Sequence, residues 1–427
     1  MKSAVTTSLV SKRWRYIWTN LVHLDFEHPD FHLIRCPFPR PFDYKRDRYC
    51  KWVNKVMTGN RASHLSTFRI HFPLNGRRWN TAHIDKWIAM ALSKNVSNLE
   101  LNLSHDTGFC ITNKYTYIIR QDVLSNNNGI TTLKTIHLEA LVVEGDVVEH
   151  VLSNCLNLDR LTVKNCEFYL CGSVWTFPKT QVVVASSKLK HLELYGCANI
   201  KSIQISAPNL TWFKFMGVDT KIQYTSVPAL VNVTFEGGYW YHEHKLNVFS
   251  KFSNQLVQLS LSWSLQEKSL PTKFPSFPNV KQLEIYVMLS DNGKDNLLAL
   301  IPFIKACPVL HTLKLKLLPI YGISWPAKFV QSDVEIETIR AHKHLSVVEF
   351  ARFSGTESEA NLALFLAEHA PMLNKFIFDP HQPQAGGNTH MHVEFANMIL
   401  YEHISLWRRK AEDLAKRIRG GVDVVIL

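Results

Sequence analysis

The chain repeats one pattern of apolar positions, apolar-x-x-apolar-x-apolar, at irregular intervals of roughly 20 to 37 residues. The last two apolar residues of each copy are two positions apart, so they point to the same side of a short strand, and the first lies on the turn that leads into it. One strand cannot bury that side alone, whereas stacked copies can. The twelve copies are Leu65-Phe68-Ile70, Val96-Leu99-Leu101, Leu133-Ile136-Leu138, Leu158-Leu161-Val163, Leu189-Leu192-Leu194, Leu210-Phe213-Phe215, Leu230-Val233-Phe235, Leu256-Leu259-Leu261, Val280-Leu283-Ile285, Leu310-Leu313-Leu315, Leu345-Val348-Phe350 and Leu373-Phe376-Phe378.

This spacing is typical of leucine-rich repeats. We therefore predict an α/β leucine-rich-repeat solenoid over residues 61–340, with a parallel sheet on its concave face and helices or irregular segments on the other side. Cys166 and Cys197 each follow the middle leucine of a copy by five positions, where the repeat consensus has Asn or Cys. Because buried cysteine usually behaves as a small hydrophobe, both are predicted to be structural thiols.

The residues that flank the buried strand positions project from the concave face and form the predicted binding surface. This surface contains Trp, Tyr, Met and Arg, which are enriched in protein interfaces, so it favours a protein ligand over a small molecule. For any single residue, ordinary solvent exposure is the competing interpretation, because few interface positions carry binding energy. The predicted residues are Arg160, Lys164, His191, Glu193, Tyr195, Trp212, Lys214, Met216, Gln282, Glu284, Tyr286, Lys314 and Lys316.

The first residues, AVTTSLVSKRWRYIWTNLVHLDFE, place apolar side chains at helical spacing on one face. They resemble the second half of a plant F-box, so residues 1–28 are predicted to be a short helical F-box remnant that precedes the repeats. The resemblance implies contact with a Skp-family adaptor through Leu9, Val10, Trp14, Ile17 and Trp18. The Leu-Pro-led first half of the motif does not precede them here. Two interpretations follow: the recorded start is wrong, or the F-box is naturally truncated.

Residues 29–60 are predicted to be a linker followed by a short helix. Four prolines fall between Pro29 and Pro41, a composition typical of linkers. The segment Lys51 to Met57 then has the pattern of a helix ahead of the first repeat.

Residues 341–380 resemble the FBD region of plant F-box proteins, a strand, an acidic-capped helix and another strand. Thr356 and Glu359 have the spacing of a capping box at the start of that helix. An apolar stripe that includes Leu362 and Leu366 follows, and Pro371 ends it. Residues 381–427 are predicted to be a capping helix and a final strand, because a terminal repeat needs a cover.

Composition narrows the function classes. The net charge of +12 is spread over scattered clusters without a zinc-finger, RRM or OB signature, which disfavours nucleic-acid binding. The sequence contains neither a recognisable signal peptide nor an apolar run of eighteen residues, which disfavours secretion and a membrane span. We therefore expect a cytoplasmic or nuclear protein whose eight cysteines are free thiols.

Motifs for catalysis or cofactor binding are absent from the sequence. It contains no glycine-rich phosphate loop, nucleophile elbow or zincin motif. The motifs His242-Glu243-His244 and His390-Met391-His392 each offer two imidazoles without a nameable third ligand, so surface or core roles are favoured over a metal site. The prediction is a non-enzymatic protein with no cofactor, no metal and no catalytic residue.

The resemblance at the two ends implies a function. In that family such a protein is the substrate-recognition subunit of a Skp–cullin–F-box ubiquitin ligase, in which the F-box docks on the adaptor and the repeats hold a target protein. The receptor makes no bond itself and acts by proximity. The alternative is a leucine-rich-repeat scaffold that binds a partner but recruits no ligase, because its F-box is incomplete.

Overall fold

The computed structural model describes residues 17–27, 40–74, 78–104, 116–125, 128–169, 180–217, 220–236, 249, 251–265, 275–289, 296–319, 342–381, 393–418 and 420–427. The chain divides into two compact units. Unit 1 comprises residues 1–210 and 220–227, and unit 2 comprises residues 211–219 and 228–427.

The described elements alternate between short strands and helices or turns. The strands are β1 His23–Glu27, β2 Thr67–His71, β3 Asn98–Asn102, β4 Ile118–Ile119, β5 Thr135–Glu139, β6 Val142–Glu144, β7 Arg160–Lys164, β8 Glu167–Tyr169, β9 Thr180–Ala185, β10 His191–Tyr195, β11 Ile200–Ser206, β12 Trp212–Met216, β13 Lys221–Ser226, β14 Asn232–Glu236, β15 Gln258–Ser264, β16 Gln282–Leu289, β17 Thr312–Pro319, β18 Val347–Ala351, β19 Lys375–Asp379 and β20 Asp423–Ile426. The α-helices are α1 Arg40–Gly59, α2 Arg78–Ser93, α3 Gln121–Ser125, α4 Val147–Asn154, α5 Ile301–Lys305, α6 Glu357–His369 and α7 Val393–Ala415, and the 3-10 helices are Ile17–Asn20, Asn128–Thr132 and Leu297–Leu300.

In unit 1, six repeat strands form a parallel sheet in the order β1, β2, β3, β5, β7 and β10. In unit 2, eight strands form a parallel sheet in the order β12, β14, β15, β16, β17, β18, β19 and β20. The pairing is in register with the repeat pattern, since Leu161 lies opposite Ile136 on one side and Leu192 on the other. Every apolar residue of the twelve copies is buried. The predicted α/β leucine-rich-repeat fold with parallel strands is confirmed.

Several repeat strands begin at a backbone amide that donates a hydrogen bond to a carbonyl of the preceding repeat. In unit 1 the Lys134 amide donates to the Ser97 carbonyl, and the Asp159 amide donates to the Lys134 carbonyl at 2.8 Å. In unit 2 the His311 amide donates to Lys281 in the same way, at 2.9 Å. These bonds recur at the same position of the repeat in both units and align neighbouring strands.

The exit of several strands requires a left-handed residue. Ala140, Asn165, Gly196 and Arg352 directly follow β5, β7, β10 and β18 with φ between 49° and 65°. Asn and Gly tolerate this region at little cost, whereas Ala and Arg are strained there. At Gly196 an added Cβ would also lie 2.5 Å from the Asn165 Oδ1 atom. The repeat therefore turns out of its strand at the same point in both units.

Unit 1 carries strands, as well as helices, outside the repeat sheet. The order is β4, β6 and β8 in one small parallel sheet and β9, β11 and β13 in the other. Strands β9 and β11 bury alternate apolar residues such as Val182, Val184 and Ile203. Helices or irregular segments were predicted at these positions, and the strands were not.

The first described segment extends the repeat sheet. Leu24 and Phe26 are fully buried on β1, which pairs with β2, although the sequence analysis grouped them with the F-box remnant. Helix α1 is longer than the predicted Lys51–Met57 helix because its earlier residue Tyr49 is also buried, with the phenol donating to the Phe26 carbonyl. This contact ties α1 to the start of the sheet.

The predicted capping box at α6 is confirmed. The Glu359 amide donates to Thr356 Oγ1 at 3.3 Å, and the Glu359 carboxylate accepts from the Thr356 amide. The final helix and strand are also present as α7 and β20, with Ala411 and Leu414 buried. Cys166 and Cys197 are buried thiols whose Sγ atoms donate to backbone carbonyls, as predicted. None of the described helices is both long and apolar enough to cross a membrane.

His342 in unit 2 is a half-buried histidine that contacts the backbone through both ring nitrogens. Its Nε2 atom lies 2.9 Å from the Cys307 carbonyl, while its Nδ1 atom accepts a 3.2 Å hydrogen bond from the Leu345 amide. Burial lowers the pKa of His342 from its ordinary value, and the nearby His344 and His311 lower it further. Protonating Nδ1 would remove the acceptor for Leu345, so the neutral ring is the form that stabilises the fold.

We expect acid to weaken the contribution of His342. A histidine whose folded pKa is depressed contributes fully above the unfolded pKa of about 6.5, and that contribution falls as the pH drops below it. His342→Gln should therefore lower the free energy of unfolding by about 1 kcal/mol at pH 7.5 and by less at pH 5.5. Urea unfolding at both pH values measures this. His64→Gln, at an exposed histidine of unit 1, is the control. An equal difference between wild type and His342→Gln at both pH values would disprove the assignment.

Candidate protein-binding face

Alternate residues of the repeat strands point away from the core and form an outward face on the sheet of each unit. In unit 1 the outward positions of β1, β2, β3 and β5 carry four carboxylates and one guanidinium, in a chain whose net charge is +12. The carboxylates belong to Asp25, Glu27, Glu100 and Glu139. This part of the face is acidic.

Arg69 is the centre of that acidic part. Its guanidinium contacts Glu100 at 2.9 Å, Asp25 at 3.3 Å and Glu27 at 3.6 Å. Next to it, burial lowers the pKa of His71 and the positive charge of Arg69 lowers it further. One cation shared by three carboxylates leaves a surplus of negative charge on the surface.

Glu139 is the fourth carboxylate of this acidic part of the face. Its carboxylate lies 3.1 Å from His137 Nε2 and accepts from Asn102 at 3.0 Å. Burial tends to raise the pKa of Glu139, but the hydrogen bond and charge of His137 outweigh it, so the pKa is lowered. The carboxylate is therefore held in its charged form.

The predicted residues of unit 1 lie on β7 and β10. Lys164 forms an ion pair with Glu193 at 3.4 Å. Arg160 is exposed, and His191 and Tyr195 are half-buried at outward positions in register with it and with Lys164. Thr162, at the outward position between Arg160 and Lys164, is buried. All five predicted side chains of β7 and β10 thus remain at least partly accessible, and Tyr195 adds an aromatic ring beside Lys164.

In unit 2 the predicted residues of β12 are half-buried at outward positions. Lys214 pairs with Glu236 of β14 at 2.8 Å. Trp212 and Met216 flank Lys214 on the same strand and leave two large apolar surfaces next to that ion pair. The core of this region is aromatic, with Phe213 and Phe235 in edge-to-face contact at 5.8 Å. Aromatic packing below the strand keeps the outward side chains in position.

The predicted residues of β16 and β17 form one network. Lys316 contacts the Glu284 carboxylate at 2.7 Å, donates to the Tyr286 hydroxyl at 2.9 Å and lies over the Tyr286 ring at 4.4 Å. Burial raises the pKa of Tyr286, and the carboxylates of Glu236 and Glu284 raise it further, so the phenol stays protonated. Lys314 pairs with Glu349 of β18. Positive and negative charges alternate across neighbouring strands and largely cancel.

Gln282, the first residue of β16, is one of three uncharged polar residues at matching positions of neighbouring strands. It is exposed and lies in register with Gln258 and Asn232 on the two preceding strands. Carboxamides both donate and accept hydrogen bonds. The row can therefore bond to the peptide groups of a ligand without selecting its charge.

Several residues of the face were not predicted from the sequence. Glu236 and Glu349 pair with predicted lysines, and Ser260 donates to Glu284 at 3.2 Å. All three occupy outward positions of copies that the pattern had identified, so the register rule could have found them had it been applied to every copy. The acidic residues of β1 to β5 could have been found in the same way.

One serine–histidine contact in unit 1 resembles the arrangement of a serine nucleophile and its general base. Ser125 Oγ lies 2.9 Å from His150 Nε2, but it donates its proton to the Gln121 carbonyl at 2.8 Å. The Gln121 side-chain amide donates to His150 Nδ1 at 2.9 Å, which leaves the ring proton on Nε2. His150 therefore donates to Ser125 and cannot accept its proton. The contact joins α3 to α4.

Metal binding has little support in the parts of the chain that are described. Among those residues no group of three or more His, Cys, Asp or Glu side chains could hold a metal ion. The motifs His242-Glu243-His244 and His390-Met391-His392 lie outside the described residues.

Most of the predicted adaptor-binding residues also lie outside the described residues. Leu9, Val10 and Trp14 belong to this group, and of Ile17 only the backbone is described, in a 3-10 helix. Trp18 is half-buried, and its ring lies so close to Gly59 that an added Cβ there would be 2.6 Å away. Trp18 therefore packs on the end of α1.

Comparison with known proteins adds the family. Residues 56–404 match the family model described as At1g61320/AtMIF1, LRR domain. The chain belongs to this leucine-rich-repeat family. The match extends through the outward-facing strands from β2 to β19, so the candidate face lies within the family domain except for Asp25 and Glu27 of β1.

Relatives in Arabidopsis thaliana carry names that agree with both ends of the sequence. The FBD-associated F-box protein At5g56560 is 24% identical over 88% of this chain and 87% of the relative. The F-box/FBD/LRR-repeat protein At4g13965 is 26% identical over 73% of this chain and 69% of the relative. The F-box/LRR-repeat protein At3g18150 is 27% identical over 39% of this chain, which covers only 34% of that relative's length. The resemblance to plant F-box/leucine-rich-repeat proteins is confirmed.

Proposed function

We propose that the chain is the substrate-recognition subunit of a Skp–cullin–F-box ubiquitin ligase and holds a target protein on the outward face of its repeat sheets. The observation that carries this proposal is the agreement between relatives named F-box, FBD and LRR proteins and the motif at residues 4–28. The role is non-catalytic, because a receptor accelerates transfer by bringing lysines of the target close to the conjugating enzyme. We place this activity in the cytoplasm or nucleus, with neither nucleic acid nor membrane as a partner.

The outward face supports a protein as the ligand. Trp212, Met216 and Tyr286 provide the amphipathic contact area that dominates protein interfaces. The ion pairs beside them are half-buried and internally neutralised. A partner can therefore cover them at a lower desolvation cost than isolated charges would impose. These features fit a polypeptide surface better than a small molecule.

The adaptor interaction is tested by co-purification of the full chain with a plant Skp adaptor. If the F-box residues make the contact, the double substitution Val10→Asp with Trp14→Asp should abolish co-purification, because both side chains belong to the apolar face of the motif. The matched control is Lys12→Asp, which changes charge but not an apolar position of the same segment.

Two outcomes contradict the ligase role. Either the full chain fails to retain the adaptor even when the Leu-Pro-led first half of an F-box is added before Met1, or the double substitution leaves retention unchanged. If only the extended version binds, this chain acts as the repeat scaffold that the sequence analysis gave as the alternative.

The target-binding face is tested separately. Proteins cross-linked to the wild-type chain in plant extract should be lost in the double variant Trp212→Ala with Tyr286→Ala, and retained in Tyr44→Ala. Tyr44 is an exposed tyrosine on α1 with 67% of its surface accessible, away from the outward strand positions. Equal loss in both variants would contradict the assignment of the face.

A further inference from the structure

Three strands of unit 1, β5, β7 and β10, begin at a basic rim of the sheet. The segments that lead into them, residues 130–135, 155–160 and 186–191, contain four lysine or arginine residues and one carboxylate. The basic rim comprises these four exposed cations, Lys134, Arg160, Lys188 and Lys190. Lys190 pairs with Asp159, the one carboxylate of the segments, at 3.2 Å. Positive charge is therefore in surplus where these strands begin.

Backbone hydrogen bonds hold the three segments side by side. The Asp159 amide donates to the Lys134 carbonyl at 2.8 Å, and the Lys190 amide donates to the Asp159 carbonyl at 2.9 Å. Arg160, the first residue of β7, lies in register with His191 of β10. Neighbouring strands are about 4.8 Å apart, so cations from three repeats lie close together on unit 1.

His191 lies half-buried next to the basic rim, and its pKa reflects the surplus charge. Burial lowers the pKa of His191, and Arg160 lowers it further. Asp159 raises this pKa, whereas Lys190 lowers it again. The two cations outweigh the carboxylate at this outward position.

An exposed leucine lies in the turn that leads into β7. Leu156 has 65% of its surface accessible, whereas Leu158, two residues later, is buried. Asn157 between them donates from Nδ2 to the Thr131 carbonyl at 3.2 Å, which holds the turn against the preceding repeat. This turn therefore presents an apolar side chain to solvent four residues before Arg160.

Small residues occupy the matching positions of the neighbouring turns. Thr131 and Ser187, like Leu156, each lie two residues before the first apolar residue of a copy. Asn209 donates from Nδ2 to the Ser187 carbonyl at 2.6 Å, so this turn is held as the preceding one is. Leu156 thus projects between two small side chains, and Lys188 follows Ser187 in the adjacent turn.

We infer that the basic rim and Leu156 bind an acidic segment of the target protein that carries an apolar residue among its carboxylates. The carboxylates would lie near the cations, and the apolar side chain would cover Leu156. Charge complementarity speeds the encounter and excludes basic segments, while burial of Leu156 adds affinity. This inference rests on the proposed function for the statement that the segment belongs to a ligase target. It names the class of segment that unit 1 selects.

The first test measures binding of a fluorescein-labelled probe peptide, Gly-Glu-Asp-Leu-Asp-Glu-Gly, to the full chain by fluorescence anisotropy. One comparison peptide has amides in place of its carboxylates, and the other has serine in place of leucine. The neutral peptide should bind about tenfold more weakly, because it makes no ion pairs with the rim. The serine peptide should bind about threefold more weakly, because less apolar surface is buried.

Charge-reversal variants locate the binding. Lys134→Glu with Arg160→Glu should weaken the parent peptide about tenfold, because two attractive charges become repulsive. The matched control is Lys416→Glu with Arg417→Glu, which makes the same change of charge at exposed positions of unit 2. The control should bind the peptide within about twofold of wild type, because salt screens distant charges. Urea midpoints show that each variant is folded, and the peptide series decides even if one variant is not.

A second pair of variants tests the apolar contact. Leu156→Ser should weaken the parent peptide about threefold and leave the serine peptide unchanged, because the leucine then has no apolar partner. Met372→Ser is the matched control, at a methionine of unit 2 with 62% of its surface accessible, and it should change neither affinity.

Adaptor co-purification separates this inference from the ligase role, since none of these substitutions lies in residues 4–28. Each variant should retain the adaptor as the wild-type chain does. Failure of the wild-type chain to bind the peptide, with the adaptor retained, would overturn the inference alone. Peptide binding that follows the expected order, without any adaptor binding, would leave the basic rim standing and overturn the ligase role.

Three further outcomes would overturn the inference. The first is equal peptide binding by Lys134→Glu with Arg160→Glu and by the charge-matched control. The second is equal affinity for the leucine and serine peptides, because the rim would then select charge alone. The third is a single-stranded oligonucleotide of the same charge that binds as tightly as the parent peptide and is lost in the same variant, because the rim would then serve nucleic acid.

Discussion

Replacing Gly129 by alanine is expected to lower the free energy of unfolding by about 3 kcal/mol, the upper end of the cost of overpacking a rigid interior. Gly129 lies in the 3-10 helix Asn128–Thr132, against the last turn of α2. An added Cβ would lie 1.7 Å from the Leu92 carbonyl oxygen and 2.6 Å from its carbon. Backbone atoms cannot rotate aside, so either α2 or the 3-10 helix must shift.

The shift would disturb contacts around the substitution. Thr132 donates to the Val96 carbonyl at 3.0 Å, and Ile130 is buried in the same turn. Urea unfolding of Gly129→Ala against wild type measures the loss. Gly420→Ala is the matched control, because an added Cβ at Gly420 meets nothing within 4 Å. If the two alanine variants had equal midpoints, the close approach at Leu92 would be wrong.

Replacing Glu359 by alanine is expected to lower the free energy of unfolding by about 4 kcal/mol, since several half-buried donors lose their one buried acceptor. The carboxylate is fully buried and accepts from the Gly355 amide at 2.7 Å. It also accepts from the Ser354 hydroxyl at 2.8 Å, the Ser354 amide at 3.0 Å and the Thr356 amide at 3.3 Å. One side chain thus organises the whole turn between β18 and α6.

Glu359→Gln removes the charge of the side chain but keeps its shape, so it shows which of the two stabilises the turn. Glu359→Gln should lower the free energy of unfolding by about 2 kcal/mol. The amide nitrogen of glutamine is itself a donor, so it cannot accept the hydrogen bonds that the carboxylate accepts. Glu357→Gln, in the same helical turn but exposed, should cost no more than about 0.5 kcal/mol through the helix dipole. Thermal or urea unfolding of the three variants gives the order of their losses in stability. A loss for Glu357→Gln as large as for Glu359→Ala would show that helix charge, not the buried network, is responsible.

The repeated apolar pattern predicted most of the sheet, because burial of one strand side depends on local spacing alone. Leu161 and Val163, for example, fix both the strand and its outward neighbours. The same reasoning could not predict β9 and β11, where Val182 and Ile203 alternate outside the repeat pattern. The choice between strand and irregular segment there depends on a neighbouring strand that is distant in the sequence.

The candidate face was predicted in outline but not in its contacts. Register alone placed Lys214 and Lys316 at outward positions. It could not show that Glu236 pairs with Lys214 or that the Tyr286 ring lies under Lys316. These contacts are made between neighbouring repeats, and the loops that connect the repeats differ in length. Register also places Thr162 at an outward position, yet its side chain is buried.

The backbone bonds that start each strand have a consequence for how such chains diverge. The bond from the Asp159 amide to the Lys134 carbonyl fixes where β7 begins, whatever the length of the return segment before it. An insertion or deletion in a return segment therefore leaves the phase of the next strand unchanged. Accepted changes in length should concentrate between strands, while the six-residue stretch that enters and forms each strand stays ungapped. Loops can therefore change in length during evolution while the strands keep their register and the fold is retained.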